Sequence, residues 1–169
     1  EQPSGFLDSR TLVFSVDGRQ RNSGVELTVF GEPVPGVRLL GGITLLDGVQ
    51  VRAQDPRNVG RTAVGVPDVQ LNLYGEYDLP PSLVPGLTLT GRVIYTSAQY
   101  YDLANSQKIP DWATLDVGLR YATTFQERPL TLRATVANVT GTNYWASTGR
   151  GILSQGAPRT FLLSASVDF

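Results

Sequence analysis

The sequence predicts an all-β fold, an antiparallel meander that crosses a membrane as a β-barrel of about eight strands. Apolar and polar residues alternate with a period of two along most of the chain, and 18 glycines and 11 prolines gather between the alternating segments. The last segment shows this best, because Phe161, Leu163 and Val167 share one face whereas Ser164 and Ser166 lie on the other. In a transmembrane barrel, the apolar face contacts lipid and every strand must be paired.

Eight alternating segments are predicted to be strands. In one of them, Leu115, Val117 and Leu119 alternate with Asp116 and Arg120. A strand with its connection takes roughly twenty residues, as expected for membrane-length strands. The predicted strands are residues 11–16, 25–30, 37–46, 69–76, 87–96, 113–121, 130–137 and 160–169.

The connections between these strands alternate in kind, as they do between the two sides of an outer-membrane barrel. Three are short or rich in proline, namely residues 32–36, 78–86 and 126–129. Three are longer and more polar, namely residues 52–66, 102–111 and 147–158. Aromatic residues gather near both sets of strand ends, which predicts two belts at the membrane interfaces.

Composition excludes several classes of function. With 14 basic and 15 acidic residues there is no cationic excess for binding nucleic acid. Cys, His and Met are all absent, so the usual protein ligands of zinc, copper and haem are missing, as is a histidine base. We therefore expect no metal site, no cofactor and no enzymatic activity. No apolar run is long enough for a transmembrane helix.

The polar face carries charges of both signs. Because an isolated desolvated charge is costly, these groups must be paired or in contact with water. They would form an internal ladder in a small closed barrel, or would face water or an inserted plug in a wide one. The predicted lumenal charges are Glu26, Arg38, Glu76, Arg92, Asp116, Arg120, Arg133 and Asp168.

Aromatic and cationic residues near the long loops are candidates for binding a ligand at the mouth of the barrel. Stacking and charge could hold an anionic or catecholate ligand there. For each residue taken singly, anchoring at the membrane interface is the preferred interpretation. The candidates are Tyr100, Tyr101, Trp112, Tyr144, Trp145 and Arg150.

Four stretches resemble the carboxyl-terminal portion of a TonB-dependent siderophore receptor of the Gram-negative outer membrane. They occur in the order in which that family has them and span nearly the whole chain. The stretches are Arg21-Asn22-Ser23-Gly24-Val25-Glu26-Leu27, Ile109-Pro110-Asp111-Trp112-Ala113-Thr114-Leu115-Asp116, Ala137-Asn138-Val139-Thr140-Gly141-Thr142-Asn143-Tyr144-Trp145, and Gly156-Ala157-Pro158-Arg159-Thr160 continuing to Phe169.

The resemblance implies a 22-stranded barrel with an amino-terminal plug and energy-coupled import of a ferric chelate. It also implies that Phe169 is the signal read by the barrel insertion machinery. The chain begins at Glu1 rather than Met, which indicates a mature form or a piece of a longer protein. Residues 1–169 hold only about eight strands and neither plug nor TonB-contacting box. We expect one barrel unit in contact with outer-membrane lipid, with a ferric siderophore bound only in the full-length parent.

Whether these strands close on themselves is left open by the pattern. We expect a self-closed barrel, since the interior of an eight-stranded barrel is just filled by side chains. A soluble lipocalin-like barrel that binds a small molecule is the alternative, because exchanging inside for outside leaves the alternation intact. A purely structural barrel without a ligand is a third reading.

Overall fold

The computed structural model describes residues 1–7, 10–149 and 152–168, and the regular secondary structure of these residues is almost entirely β-strand. A short 3-10 helix, Pro56–Asn58, is the exception. The strands are β1 (Gln2–Leu7), β2 (Phe14–Val34), β3 (Val37–Arg52), β4 (Val69–Asp78), β5 (Leu87–Thr96), β6 (Gln99–Tyr100), β7 (Lys108–Ile109), β8 (Trp112–Phe125), β9 (Arg128–Ala137), β10 (Trp145–Gly149), β11 (Ile152–Gln155) and β12 (Thr160–Val167).

Eight strands form one sheet in the order β1-β2-β3-β4-β5-β8-β9-β12, and every neighbouring pair is antiparallel. The two remaining pairs, β6–β7 and β10–β11, are small ribbons within the long connections. The predicted antiparallel meander is therefore confirmed. Strands β4, β5 and β9 are each 10 residues long, which is the length that crosses a bilayer when tilted.

The register gives the sheet one polar and one apolar face. Across β4, β5 and β8, Tyr74, Arg92 and Asp116 are in register, so these predicted polar-face positions lie side by side, and Leu40 of β3 is an apolar member of the same row. The adjacent rows carry the apolar positions. A slip of one residue in any pair would have mixed the two faces.

The apolar face is exposed. Leu27 is 68% and Leu163 is 84% exposed. Among the described residues, only Ala63 and Ile109 are buried apolar residues, and neither lies in a strand of the large sheet. A lipocalin-like barrel would bury its apolar face in a dry centre. The exposed face fits contact with lipid.

The sheet is open, so the expectation of a self-closed barrel is wrong. Within the described part of the chain, β12 pairs with β9 alone and no ladder joins it to β1 or β2. Strand β1 pairs with β2 only as far as Gln20, which leaves residues 21–34 of β2 as a second open edge. Closure depends on strand tilt and shear, and alternation encodes neither.

The first predicted strand, residues 11–16, is also wrong. The chain turns at residues 10–11, and β2 then begins at Phe14 and continues for 21 residues. Residues 19–22 are all polar, so the sequence pattern divides one long strand into two. Residues 19–22 pair with the part of β3 that lies beyond β4, because β4 begins at Val69 opposite Leu45. Outside the hydrocarbon, a strand has no apolar face to maintain.

Short and long connections lie on opposite rims, as predicted. Strand pairs β2–β3, β4–β5 and β8–β9 are joined by short turns. The other rim carries residues 53–68 and 97–111 and the connection between β9 and β12. No helix among the described residues has the length and apolar character needed to cross a membrane.

The facing of the sheet can be tested by changing one residue on each of its two faces. We expect Val93→Arg to impair insertion of the full-length protein, because Val93 lies near the middle of β5 on the apolar face and a cation at the lipid midplane costs about 2–4 kcal/mol. Arg92→Leu, on the opposite face of the same strand, should insert normally. Heat-modifiable migration on a gel measures the folded fraction. Equal loss in both variants would contradict the assigned facing.

Candidate functional site

Four charged side chains form a cluster on the polar face near the short-turn rim. We call Arg38, Glu76, Asp78 and Arg120 the charge cluster. Arg38 and Glu76 are cross-strand partners, and Arg38 Nε donates to Glu76 Oε2 at 2.9 Å. Both terminal nitrogens of Arg38 donate to the two oxygens of Asp78 at 2.7 Å each. This bidentate geometry is the strong form of an arginine–carboxylate pair.

Arg120 connects the cluster to a further strand. Its Nη2 donates to Glu76 Oε2 at 3.0 Å and to Thr88 Oγ1 at 3.2 Å. Thr88 Oγ1 in turn donates to Asp78 Oδ1 at 2.6 Å. The Tyr74 hydroxyl donates to the other carboxylate oxygen of Glu76, Oε1, at 2.7 Å. The cluster thus links β3, β4, β5 and β8 through side chains as well as through the ladder.

The two cations and two carboxylates of the charge cluster balance. Glu76 is its least exposed side chain, at 17%, and it contacts both arginines. The cluster lines a concavity of about 1220 Å³ on the polar face, which Arg92, Asp116 and Arg133 also line. Chemically this arrangement is a neutral, hydrogen-bonded wall. Among the described residues, no group of acidic side chains is placed to hold a metal ion.

The eight predicted lumenal charges do not form one ladder. Only Arg38, Glu76 and Arg120 are brought together. Arg92 Nε donates to Asn72 Oδ1 at 2.9 Å, and Asp116 Oδ1 accepts the backbone N–H of Asn138 at 2.8 Å. The structure gives three others no ion-pair partner among the described residues, namely Glu26, Arg133 and Asp168.

Sequence reasoning missed Asp78, which it assigned to a turn. The residue is the last of β4 and lies two positions after Glu76, on the same face. The period of two, continued by one step, would have identified it.

The predicted mouth residues separate into two groups. Tyr100 lies in the β6–β7 ribbon, where the ammonium of Lys108 is 4.3 Å from the centre of its ring. Tyr101 follows and donates its backbone N–H to Gln107 O at 3.1 Å. The Lys108 ammonium therefore lies over the face of the Tyr100 ring as a cation–π pair.

The second group surrounds a recess of about 290 Å³ that is lined by Pro110, Asp111, Asn143, Tyr144, Trp145 and Gln155. Tyr144 stacks on Trp112 with ring centres 4.1 Å apart. Its described lining residues supply one carboxylate, from Asp111, and two amides, from Asn143 and Gln155. Trp112 Nε1 is buried without a partner among the described residues. Arg150 and Phe169 lie outside the described residues.

Asn138 holds the connection that carries Tyr144. Its Nδ2 donates to Thr142 O at 2.9 Å and to Ala157 O at 3.1 Å, and its Oδ1 accepts the Thr142 N–H at 2.9 Å. The residue is buried and has φ 49°, a left-handed conformation that Asn tolerates. Sequence reasoning recognised the motif around it but gave Asn138 no role.

Comparison with known proteins places this geometry in a family. The profile described as TonB dependent receptor-like, beta-barrel, matches residues 2–139. The chain belongs to the TonB-dependent receptor β-barrel family. The charge cluster, Tyr100 and Trp112 all lie inside the matched range.

Individual relatives extend the similarity to the rest of the chain. The ferrichrome receptor FcuA of Yersinia enterocolitica is 45% identical over 170 residues, which cover 99% of this chain and 22% of the relative. The ferrichrome outer membrane transporter/phage receptor of Escherichia coli is 31% identical over 117 residues, 69% of this chain and 15% of the relative. The crystal structure of BauA, the ferric preacinetobactin receptor of Acinetobacter baumannii, has a TM-score of 0.85 at 42% identity, covering 99% of this chain and 26% of that one.

The chain therefore spans about a fifth of the length of the curated relatives it matches. It is a portion of a receptor barrel in the outer membrane of a Gram-negative bacterium, as its siderophore-receptor relatives are. Nothing in the comparisons supports the lipocalin-like alternative. An open sheet is what a sector of a larger barrel has when described by itself.

Asp102 organises the long connection that carries Tyr100 and Tyr101. Burial raises the pKa of its carboxyl, but the N–H groups of Ser106 and Gln107, at 3.1 and 2.8 Å, together outweigh burial and hold the pKa below its ordinary value. A depressed carboxyl pKa means that the stabilisation is complete above the unfolded-state pKa of about 3.9 and is lost as pH falls through the lower folded-state value.

The lowered pKa of Asp102 predicts that its loop, residues 97–111, is destabilised by acid. Amide protection of Ser106 and Gln107 should be full at pH 7 and should fall below about pH 4, after correction for intrinsic exchange. Asp102→Asn should show weak protection at every pH. Hydrogen exchange with mass spectrometry makes the measurement. Protection in the wild type that does not change down to pH 2 would contradict the role of the carboxylate.

The charge cluster predicts a difference between two acids on one face. Glu76→Gln should lower the free energy of unfolding of the full-length receptor by about 1–3 kcal/mol, because it leaves two arginines with one carboxylate. Asp116→Asn, on the same face of a strand that is paired on both sides, should change it by less than about 1 kcal/mol, since the amide oxygen still accepts the Asn138 N–H and no ion pair among the described residues is lost. Urea unfolding followed by intrinsic fluorescence compares the two. Equal effects would show that the cluster contributes no stability.

Proposed function

We propose that the full-length protein containing this chain imports a ferric siderophore across the outer membrane, and that this chain supplies a continuous sector of the barrel wall with its external rim. The observation that carries the proposal is the similarity to BauA, at 42% identity and a TM-score of 0.85 over 99% of this chain. FcuA, named a ferrichrome receptor, supports the same class at 45% identity.

In this proposal the wall and the rim have different tasks. The polar face bounds the passage, and its balanced charge cluster avoids a fixed charge that would hold a charged complex on the way through. The rim carries Tyr100, Tyr101 and Trp112, which recognise the ligand by stacking and cation–π contact. Gating and coupling to TonB belong to parts of the parent outside these residues.

We also propose that the role is transport rather than enzymatic catalysis. The relatives are named receptors and transporters. The charge cluster pairs its carboxylates with arginines and places no nucleophile beside them. The siderophore class differs among the relatives, since FcuA is named for ferrichrome and BauA for preacinetobactin.

Uptake by cells tests the proposal. A Gram-negative strain that lacks its own siderophore receptors is given the full-length protein and offered 55Fe-labelled ferrichrome, ferrioxamine B or ferric preacinetobactin. We expect saturable uptake of one of them that disappears when TonB is deleted. Uptake of none, with the receptor folded in the membrane, would contradict the proposal.

A matched pair of tyrosines tests the rim. Tyr100→Ala should raise the siderophore concentration needed for half-maximal uptake by about fivefold to tenfold, because it removes a ring and its cation contact. Tyr77→Ala removes a ring at the opposite rim and should leave uptake unchanged. Equal effects would argue that both rings only anchor the barrel in the membrane.

A further inference from the structure

Two long loops on the external rim are tied to each other by a buried side-chain amide. Gln50, near the end of β3, is 4% exposed. Its Nε2 donates to Thr62 O in residues 53–68 and to Leu103 O in residues 97–111, both at 3.0 Å. One amide group thus binds the backbones of both loops.

Asn105 makes a second connection that is reciprocal. Its Oδ1 accepts the Thr62 N–H at 2.8 Å, and its Nδ2 donates to Thr62 O at 3.0 Å. The Arg61 guanidinium also donates to Ala104 O across the same interface. We call Gln50, Thr62 and Asn105 the rim latch.

The two loops that the rim latch joins carry the buried apolar residues of the described chain. Ala63 is 0% exposed and Ile109 is 3% exposed, and each belongs to one of the two long connections. The Gly65 N–H donates to Tyr100 O at 2.9 Å, so the first loop also holds the ribbon that carries Tyr100. The sheet itself has no comparable core, because its apolar face is exposed.

We propose that the rim latch makes these two loops one rigid wall, and that Gln50, Thr62 and Asn105 are positioning residues that hold Tyr100 and Lys108 in place. The ring and the ammonium are then ordered before a ligand arrives, which removes an ordering cost from binding. Any closure of the rim over a ligand must come from other segments.

Hydrogen exchange on the full-length receptor tests the latch without a ligand. Asn105 has φ 52°, so Asn105→Gly keeps the backbone conformation and removes only the side chain. Gly65 lies in the other loop, and its amide should exchange about tenfold faster in this variant. Ser106→Ala is the control, since Ser106 Oγ contacts only Asp102 in its own loop at 2.8 Å.

A conservative variant separates positioning from a general loss of stability. Asn105→Asp keeps the acceptor for the Thr62 N–H but loses the donor to Thr62 O, so exchange at Gly65 should be intermediate while the melting temperature stays that of the wild type. Unchanged exchange at Gly65 in Asn105→Gly, or an equal rise in Ser106→Ala, would overturn the proposal. This inference rests on the proposed function only in taking the two loops to face the siderophore. If the hydrogen-exchange test contradicted the latch, the uptake experiment would still test the proposed function.

Discussion

The structure depends on the antiparallel ladder, because in hydrocarbon every backbone N–H and C=O must find a partner within the protein. The ladder also fixes the register that sends Leu89 and Val117 to one face and Arg92 and Asp116 to the other. The two open edges, β12 and residues 21–34 of β2, are where the sector must meet the rest of the receptor barrel.

Side-chain interactions are concentrated at the two rims, outside the middle of the sheet. The charge cluster lies toward the short turns, whereas the rim latch, the Trp112–Tyr144 stack and Asn138 lie toward the long loops. Between them, the described strands are joined by the ladder and by the Arg92–Asn72 hydrogen bond. In the proposed function, the polar face bounds the passage and the long-loop rim recognises the ligand.

Much of this could be predicted from the sequence because alternation reports directly on facing. It placed Leu89 and Arg92 on opposite sides and located seven strands of the sheet. Closure could not be predicted, because tilt and shear leave no trace in a period of two. The rim latch was equally hidden, since Thr62 and Asn105 are 43 positions apart and both are polar loop residues. Asp78 could have been predicted, because it lies two positions after Glu76 and continues the same alternation.

The facing of β8 can be measured directly in the full-length receptor. Residues 1–169 contain no Cys, so in a full-length receptor from which any cysteine elsewhere has been removed, single cysteines at successive positions from 113 to 121 can each carry a spin label. Collision rates with oxygen and with a water-soluble nickel chelate then report lipid and water at each site. We predict that oxygen accessibility peaks at 115, 117 and 119 and that nickel accessibility peaks at 116, 118 and 120. The opposite phase, or no alternation, would contradict the assignment of lipid to the apolar face.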